Sequence, residues 1–429
     1  VNEFYKNIKI DDEEGKELPE AGGYAQYKRW EWFWQQRVTP DGKFPNPMVL
    51  YNESARSKAE QMRHLKKDGA QTLSPTESKW KEVGPFGAAQ GSGAGRVNRI
   101  HLNLDFPNNI WAGTAAGGAW LSTDRGVTWK PKTDGIPSMG VTDIATTVSD
   151  PNLVYIATGD GDATFASTQN PVSYSVGVLK STDGGTTWEP TGLNWQTSIQ
   201  RKIHRLLISP TNPQILFAGT DGGIYRTVDG GTTWTQALSG NVNDMEFKPD
   251  DPTFIYASIG NSIYHSINEG VSWKALPAGI SGSGKNGVER IALGVSVDDP
   301  EVVYALCSRG PGTDYAGRGG FAGFYSSTNS GANWQVKATT PNILGRALDG
   351  SDDFDYTQQG YYDLAIAVSP VNANTIYIGG INIWKSTNGG GTWTVSAHWT
   401  GAGGKPYVHA DVHDLVATED NTSAVFAGT

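Results

Sequence analysis

The chain has 429 residues, of which 18% are charged, 54 are glycine, 15 are tryptophan and one is cysteine, with a net charge of −10. Much glycine and few charges suit many short strands joined by tight turns, and speak against long helices and disorder. The acidic balance disfavours phosphate backbones, so no nucleic-acid partner is expected. Cys307 alone can form neither an intrachain disulfide nor a cysteine metal finger. No apolar run approaches the length of a membrane span, so the chain is not expected to cross one. Its start at Val1, without Met or an apolar leader, fits a presequence already removed.

Residues 1–78 read as an N-terminal extension with two helices. Tyr27, Trp30 and Trp34 fall at helical spacing within 24–38 and make one aromatic face. A second helix is expected from Asn52, a suitable N-cap, to Lys67, closed by Asp68-Gly69.

From residue 79 to 429 a repeat takes over, and its marker is an octapeptide. Ser122-Thr123-Asp124-Arg125-Gly126-Val127-Thr128-Trp129 is the first of six copies, whose tryptophans stand 59, 46, 39, 61 and 59 residues apart. The third place is always Asp124, Asp183, Asp229, Asn268, Asn329 or Asn388, side chains that accept backbone N–H groups further along a tight turn. The fifth place is always glycine, which permits positive φ. These are the features of a structural hairpin staple.

Each repeat reads as four short strands, with the octapeptide between the third and fourth. The second strand carries an aromatic landmark: Trp111, Tyr155, Phe217, Tyr256, Tyr304, Tyr377 and Phe426. That makes seven first-and-second-strand pairs against six octapeptides, so the chain is expected to be a fragment cut inside its last repeat. The expected fold is therefore an all-β propeller of about seven four-stranded blades, the last incomplete. Ser78–Val83 resembles the strand that follows an octapeptide and is expected to close the ring.

The octapeptides resemble the Asp-box, or BNR repeat, of sialidases, sortilin-type receptor domains and secreted glycosidases. That resemblance implies a propeller and is shared by enzymes and binders. The sialidase Arg-Ile-Pro element does not occur here. Thr220-Asp221-Gly222-Gly223-Ile224-Tyr225-Arg226 looks like strands of two-propeller xyloglucan-cleaving glucanases. Gly95-Arg96-Val97-Asn98, the 158–162 segment and the 409–414 segment are similar to large exported sortilin-like proteins of bacteria with type IX secretion. The resemblance implies a secreted or cell-surface location in a Gram-negative bacterium, with the outer-membrane type IX translocon as partner during export.

Candidate chemistry falls in three places. Aligning repeats on the aromatic landmark gives one ring of positions at the first-strand entrances: Asn98, Thr142, His204, Asn243, Ile291, Leu364 and His413. Its polar members Asn98, His204, Asn243 and His413 are the candidate ligand-binding residues on the axial face. On a strand, His409, Asp411 and His413 would share one face and suit zinc. Two acidic loops, with Asp160 and Asp162 in one and Asp352, Asp353 and Asp355 in the other, offer oxygens for calcium or paired acids for glycoside cleavage. The residues favour a non-catalytic module that binds a glycan or a surface protein; the alternative is a glycoside hydrolase, xyloglucanase-like rather than sialidase.

Overall fold

The computed structural model describes residues 31–32 and 56–57, and residues 95–429 apart from 104–105, 135, 137–139, 148, 164–172, 278–279, 281–286, 311–319, 352–358 and 419–424. The chain divides into two compact units, Val1–Ser74 and Pro75–Thr429. The four described residues of the first are helical; the rest of both expected helices, and the strand expected at Ser78–Val83, lie outside the described residues. No described helix is long and apolar enough to cross a membrane.

The second unit is an all-β propeller. Blade one shows the plan: antiparallel strands Val97–Leu102, Ile110–Thr114, Ala119–Ser122 and Lys130–Pro131, hydrogen-bonded in chain order. Five further four-stranded blades begin with the inner strands Val141–Thr146, Ile203–Ile208, Val242–Lys248, Val288–Val295 and Ala365–Ser369. Seven four-stranded blades were expected; the described residues form six. The seventh place is filled, among the described residues, by a two-stranded sheet, Asp414–Ala417 with Val425–Gly428.

Each inner strand packs beside the next, and Asp414–Ala417 packs beside both Ala365–Ser369 and Val97–Leu102. Six hydrophobic clusters each join two adjacent sheets; one, for example, mixes Tyr155 and Val178 of blade two with Ile203 and Leu216 of blade three. The seventh sheet meets blade one through polar contacts: Val97 N–H donates to the Thr429 carbonyl at 3.0 Å, and Ile100 N–H to Asp414 Oδ2 at 2.7 Å.

The octapeptide explains both its residue choices and the packing of blades. In the second copy Asp183 Oδ1 accepts the Thr187 N–H at 2.8 Å and Oδ2 the Thr187 hydroxyl at 2.7 Å, while Ser181 Oγ accepts the Gly185 N–H at 2.8 Å. The fifth-place glycine then lies on the aromatic landmark of the preceding blade. A Cβ on Gly270 would stand 2.2 Å from the Phe217 ring, and one on Gly185 2.8 Å from Trp111. The tyrosine landmark of blade two donates to the Gly230 carbonyl at 3.0 Å. The staple therefore locks one blade to its neighbour as well as closing its own hairpin.

Below the mouth of the ring lies a layer of buried charge. In every blade the residue two positions before the partner of the aromatic landmark is equivalent: Arg99, Asp143, Arg205, Asp244, Ala292, Ala365 and Asp414. Asp143 Oδ2 accepts Leu206 N–H at 2.7 Å, and Asp244 Oδ2 accepts Leu293 N–H at 2.8 Å, each reaching into the next blade as Asp414 does. Arg205 Nε lies 2.8 Å from Asp244, and Arg99 Nη1 3.0 Å from Asp414. These groups line an axial cavity of about 450 Å³.

Replacing Asp143 by Ala leaves the Leu206 N–H without its acceptor, while Arg205 and Arg99 keep Asp244 and Asp414, and costs about 1–3 kcal/mol in denaturant unfolding; a loss below about 0.5 kcal/mol would show that this contact does not clasp the blades. Hydroxyl and backbone donors hold Asp124 and Asp229 down at about 2. Their folded-state pKa lies below that of the unfolded chain, so on acidification the unfolded state takes up the proton first. Stability is expected to fall between about pH 4 and pH 2, and the triple replacement Asp124→Asn, Asp183→Asn, Asp229→Asn to flatten that slope in thermal scans. Asparagine already serves in the other copies, where Asn268 Oδ1 accepts Ser272 N–H at 3.0 Å.

Candidate functional site: the mouth of the axial channel

The segment after the second strand of blade two, Gly159 to Ala163, turns inward over the axis. Gly159, at φ +97°, starts the turn and donates to the Gly140 carbonyl at 2.7 Å. Thr142 Oγ1 then accepts the Gly161 N–H at 2.9 Å and donates to the Gly159 carbonyl at 3.0 Å. A side chain at residue 161 would meet the Ile203 carbonyl at 2.5 Å, so only glycine lets the backbone lie this close to blade three.

Two carboxylates on this segment reach different parts of the ring. Asp160 pairs with Arg96 and accepts from Asn98 Nδ2 at 3.3 Å, both at the start of blade one. Asp162 lies 3.0 Å from Arg290 Nη2 on blade five and 3.0 Å from His413 Nδ1 at the seventh sheet. Lys202 of blade three donates to the Ala163 carbonyl. A segment from blade two is thus tied to blades one, three and five and to the seventh sheet, and it plugs the mouth.

Burial pushes Asp162 up, but the guanidinium of Arg290 and the hydrogen bond from His413 outweigh it and hold the carboxyl well below the usual range. Asp160 is raised, by burial and the neighbouring Asp162 charge, with Arg96 opposing. Asp363, just before the inner strand of blade six, is fully buried with no hydrogen-bond partner on either oxygen. Burial and the Asp411 charge raise its pKa well above the ordinary carboxylate value.

Beside the plug lies a polar cavity of about 330 Å³ lined by Asp162, Lys202, His204, Asp221, Asn243, Glu289, Arg290 and Tyr361 among others. Burial lowers the His204 imidazole to about 4, so it is neutral, and its Nε2 is buried without a partner. Neutral imidazole, amide, ammonium and carboxylate in one small cavity suit a ligand rich in hydroxyl groups.

The ring read from the sequence is where the repeat alignment puts it, but its members have different duties. Asn98 and His413 hold the plug, His204 and Asn243 line the cavity, and Ile291 and Leu364 are buried in cores. The metal reading of His409, Asp411 and His413 fails geometrically. Residues 409–413 are not a strand, Asp411 adopts φ +72°, and His409 is exposed while His413 turns inward to Asp162. Among the described residues no three His, Cys, Asp or Glu side chains gather as a metal site. Asp160 and Asp162 face guanidinium groups, surroundings that do not fit calcium. Asp352, Asp353 and Asp355 lie outside the described residues. Sequence reasoning missed Arg96, Lys202, Arg290, Tyr362 and Asp363 as site residues; their signal was position, since each stands within three residues of the start of an inner strand. Tyr362 accepts from Arg96 and packs edge-on against His413, with ring centroids 4.6 Å apart.

No protein-family model matches the chain. A xyloglucanase from Paenibacillus sp is 30% identical over 171 residues, 37% of this chain and 16% of that enzyme. Xyloglucanase Xgh74A of Acetivibrio thermocellus is 31% identical over 181 residues, 40% of this chain and 20% of that enzyme. The matched stretch thus spans a fifth or less of these curated relatives. Among solved structures, the GH74 xyloglucanase from Xanthomonas campestris superposes with a TM-score of 0.55 at 16% identity, over 78% of this chain and 51% of that one. The GH74 enzyme of Niastella koreensis gives 0.52 at 21%, with the same coverage. YCF48 from Cyanidioschyzon merolae gives 0.50 at 14%, over 78% of this chain and 93% of that one. At these identities the structures speak for the fold alone: the chain is a β-propeller, and it has xyloglucanases among its sequence relatives.

Proposed function

We propose that this propeller is directed at a glycan and that, among such activities, it is a glycoside hydrolase of the xyloglucan-cleaving kind. The observation that carries the reading is the 30–31% identity to xyloglucanases over 171–181 residues, supported by the hydroxyl-matched cavity at the mouth. Glycoside cleavage asks for one carboxyl that holds its proton and one that has lost it. Asp160, pushed up by burial, takes the donor role, and Asp162, held ionised by Arg290 and His413, the role of base or charge stabiliser.

A second reading has an observation of its own. Both acids are already engaged by guanidinium groups, which suits a binding module whose plug is structural. In that reading the chain is a secreted or cell-surface protein that holds a glycan or a surface protein, exported through the type IX translocon.

Incubation with xyloglucan separates the two. A hydrolase releases reducing ends, and Asp160→Asn or Asp162→Asn, each first shown by circular dichroism to be folded at the assay temperature, lowers the rate by about 10²-fold or more. Retardation in xyloglucan-containing gels without new reducing ends supports the binding module. Full activity in the double Asn variant removes the catalytic assignment, and a chain that neither cleaves nor binds any glycan overturns the glycan reading. Export is checked by comparing the culture medium and cell surface of a host with and without its type IX translocon.

A further inference from the structure

Blade six carries a second built surface on the same face as the mouth. Between its second and third strands lies the turn Gly380-Ile381-Asn382, and after its fourth strand, Thr394–Ala397, the chain makes an excursion before reaching Val412. Val412 N–H donates to the Gly380 carbonyl at 2.9 Å. Only a few residues further along the chain than Tyr407 is His413, the partner of Asp162. The excursion therefore runs directly into the mouth of the channel.

It presents aromatic rings to water on a rigid frame. Trp399 is 36% and Tyr407 67% exposed. Asn382, fully buried, donates to the carbonyls of Gly345 and Arg346 at 3.1 Å each and accepts the Trp399 N–H at 3.0 Å. His398 Nδ1 accepts the Thr400 N–H at 3.2 Å, which places the imidazole proton on Nε2, 3.0 Å from the Arg346 carbonyl. The His398–Tyr407 bridge joins the two arms of the excursion, and the Arg346 guanidinium lies 5.7 Å from the Trp399 ring centre. Two buried polar side chains thus hold Trp399 in place, an investment that packing alone does not require.

Beneath the excursion is a cleft of about 330 Å³ walled by Leu348, Trp384, Trp393 and Gly403, with Asp349 and Lys405 at its rim. Trp384 is 2% exposed, and its indole N–H has no acceptor. Apolar walls with a carboxylate and an ammonium match one kind of ligand. A β-linked glucose ring has two apolar C–H faces and a rim of equatorial hydroxyls, so it stacks on an aromatic ring while its edge hydrogen-bonds.

We propose that Trp399, Tyr407 and the cleft beside Trp384 form a saccharide-binding subsite that takes a β-glucan chain extending outward from the axial mouth. The proposal rests on the glycan-directed reading above and adds to it where the chain lies. The subsite contributes binding rather than chemistry: it lengthens the glucan segment held and leaves the mouth residues untouched.

The test is calorimetric titration of the whole chain with xyloglucan and with cello-oligosaccharides of increasing length. Trp399→Ala is expected to weaken binding of long chains about tenfold, with Tyr407→Ser weaker by a smaller factor and Trp399→Phe near the parent. Tyr407 is largely solvent-exposed, so its replacement reads binding without a folding loss. Ile199→Ala, also exposed but on the turn Thr197–Ile199, serves as the control. If the parent binds and both aromatic variants bind equally well at every length, the subsite is wrong and the glycan reading stands. If the parent binds no glycan, the reading and the subsite fall together. Loss of binding to a peptide library, with glycan binding intact in the variants, would also overturn the subsite by naming a protein as its occupant.

Discussion

The propeller depends on a carboxylate that reaches from one inner strand to the backbone of the next. Asp143, Asp244 and Asp414 each accept an N–H from the following blade at 2.7–2.8 Å. A ring of sheets packed only by apolar surface has no reason to choose one stagger between blades, because hydrophobic burial is non-directional. A buried carboxylate does choose, since it loses far more when its donor moves by one residue than a methyl group does. The arginines at equivalent positions, Arg99 and Arg205, lie beside those carboxylates and set a positive charge against them in the interior. Where the seventh sheet meets blade one, the same device and the Val97–Thr429 bond make the junction.

The plug uses the same currency one layer higher. Asp160 and Asp162 are ion-paired to opposite parts of the ring, so the mouth is closed by contacts from four of its sheets rather than by one loop packing on its own blade. That makes the polar cavity beside it a fixed shape. A site of this kind recognises by placement of donors and acceptors, as a rigid scaffold permits.

How much of this was legible in the sequence depends on the range of each interaction. The octapeptides could be read because their chemistry is local: Asp183 is satisfied within four residues of itself. The aromatic landmarks could be read because they recur in register, and all seven lie on second strands. The charge layer escaped by a single residue. The sequence alignment singled out Asn98 and His413, and the clasping groups are their neighbours Arg99 and Asp414; alternation along a strand gives two faces without saying which one meets the axis. The plug escaped for another reason, since Asp162 finds partners 128 and 251 residues away and no spacing rule spans that distance. The zinc reading failed because one residue, Asp411, leaves the extended region on which the shared face depended. The Trp399 excursion belongs to one blade only, so a search built on repeats passes over it.

For the glycan-directed reading proposed above, the pairing pattern at the mouth bears on which glycan fits. Any anionic sugar bound through Arg96 or Arg290 would have to displace Asp160 or Asp162, and separating one partner from a largely buried ion pair costs about 3–5 kcal/mol. A neutral sugar meets no such barrier. The chain's net charge of −10 works in the same direction, repelling polyanions before they reach the face. Under the proposed glycan-directed reading, a neutral β-glucan would therefore ask less than an anionic one of the contacts that hold the ring together.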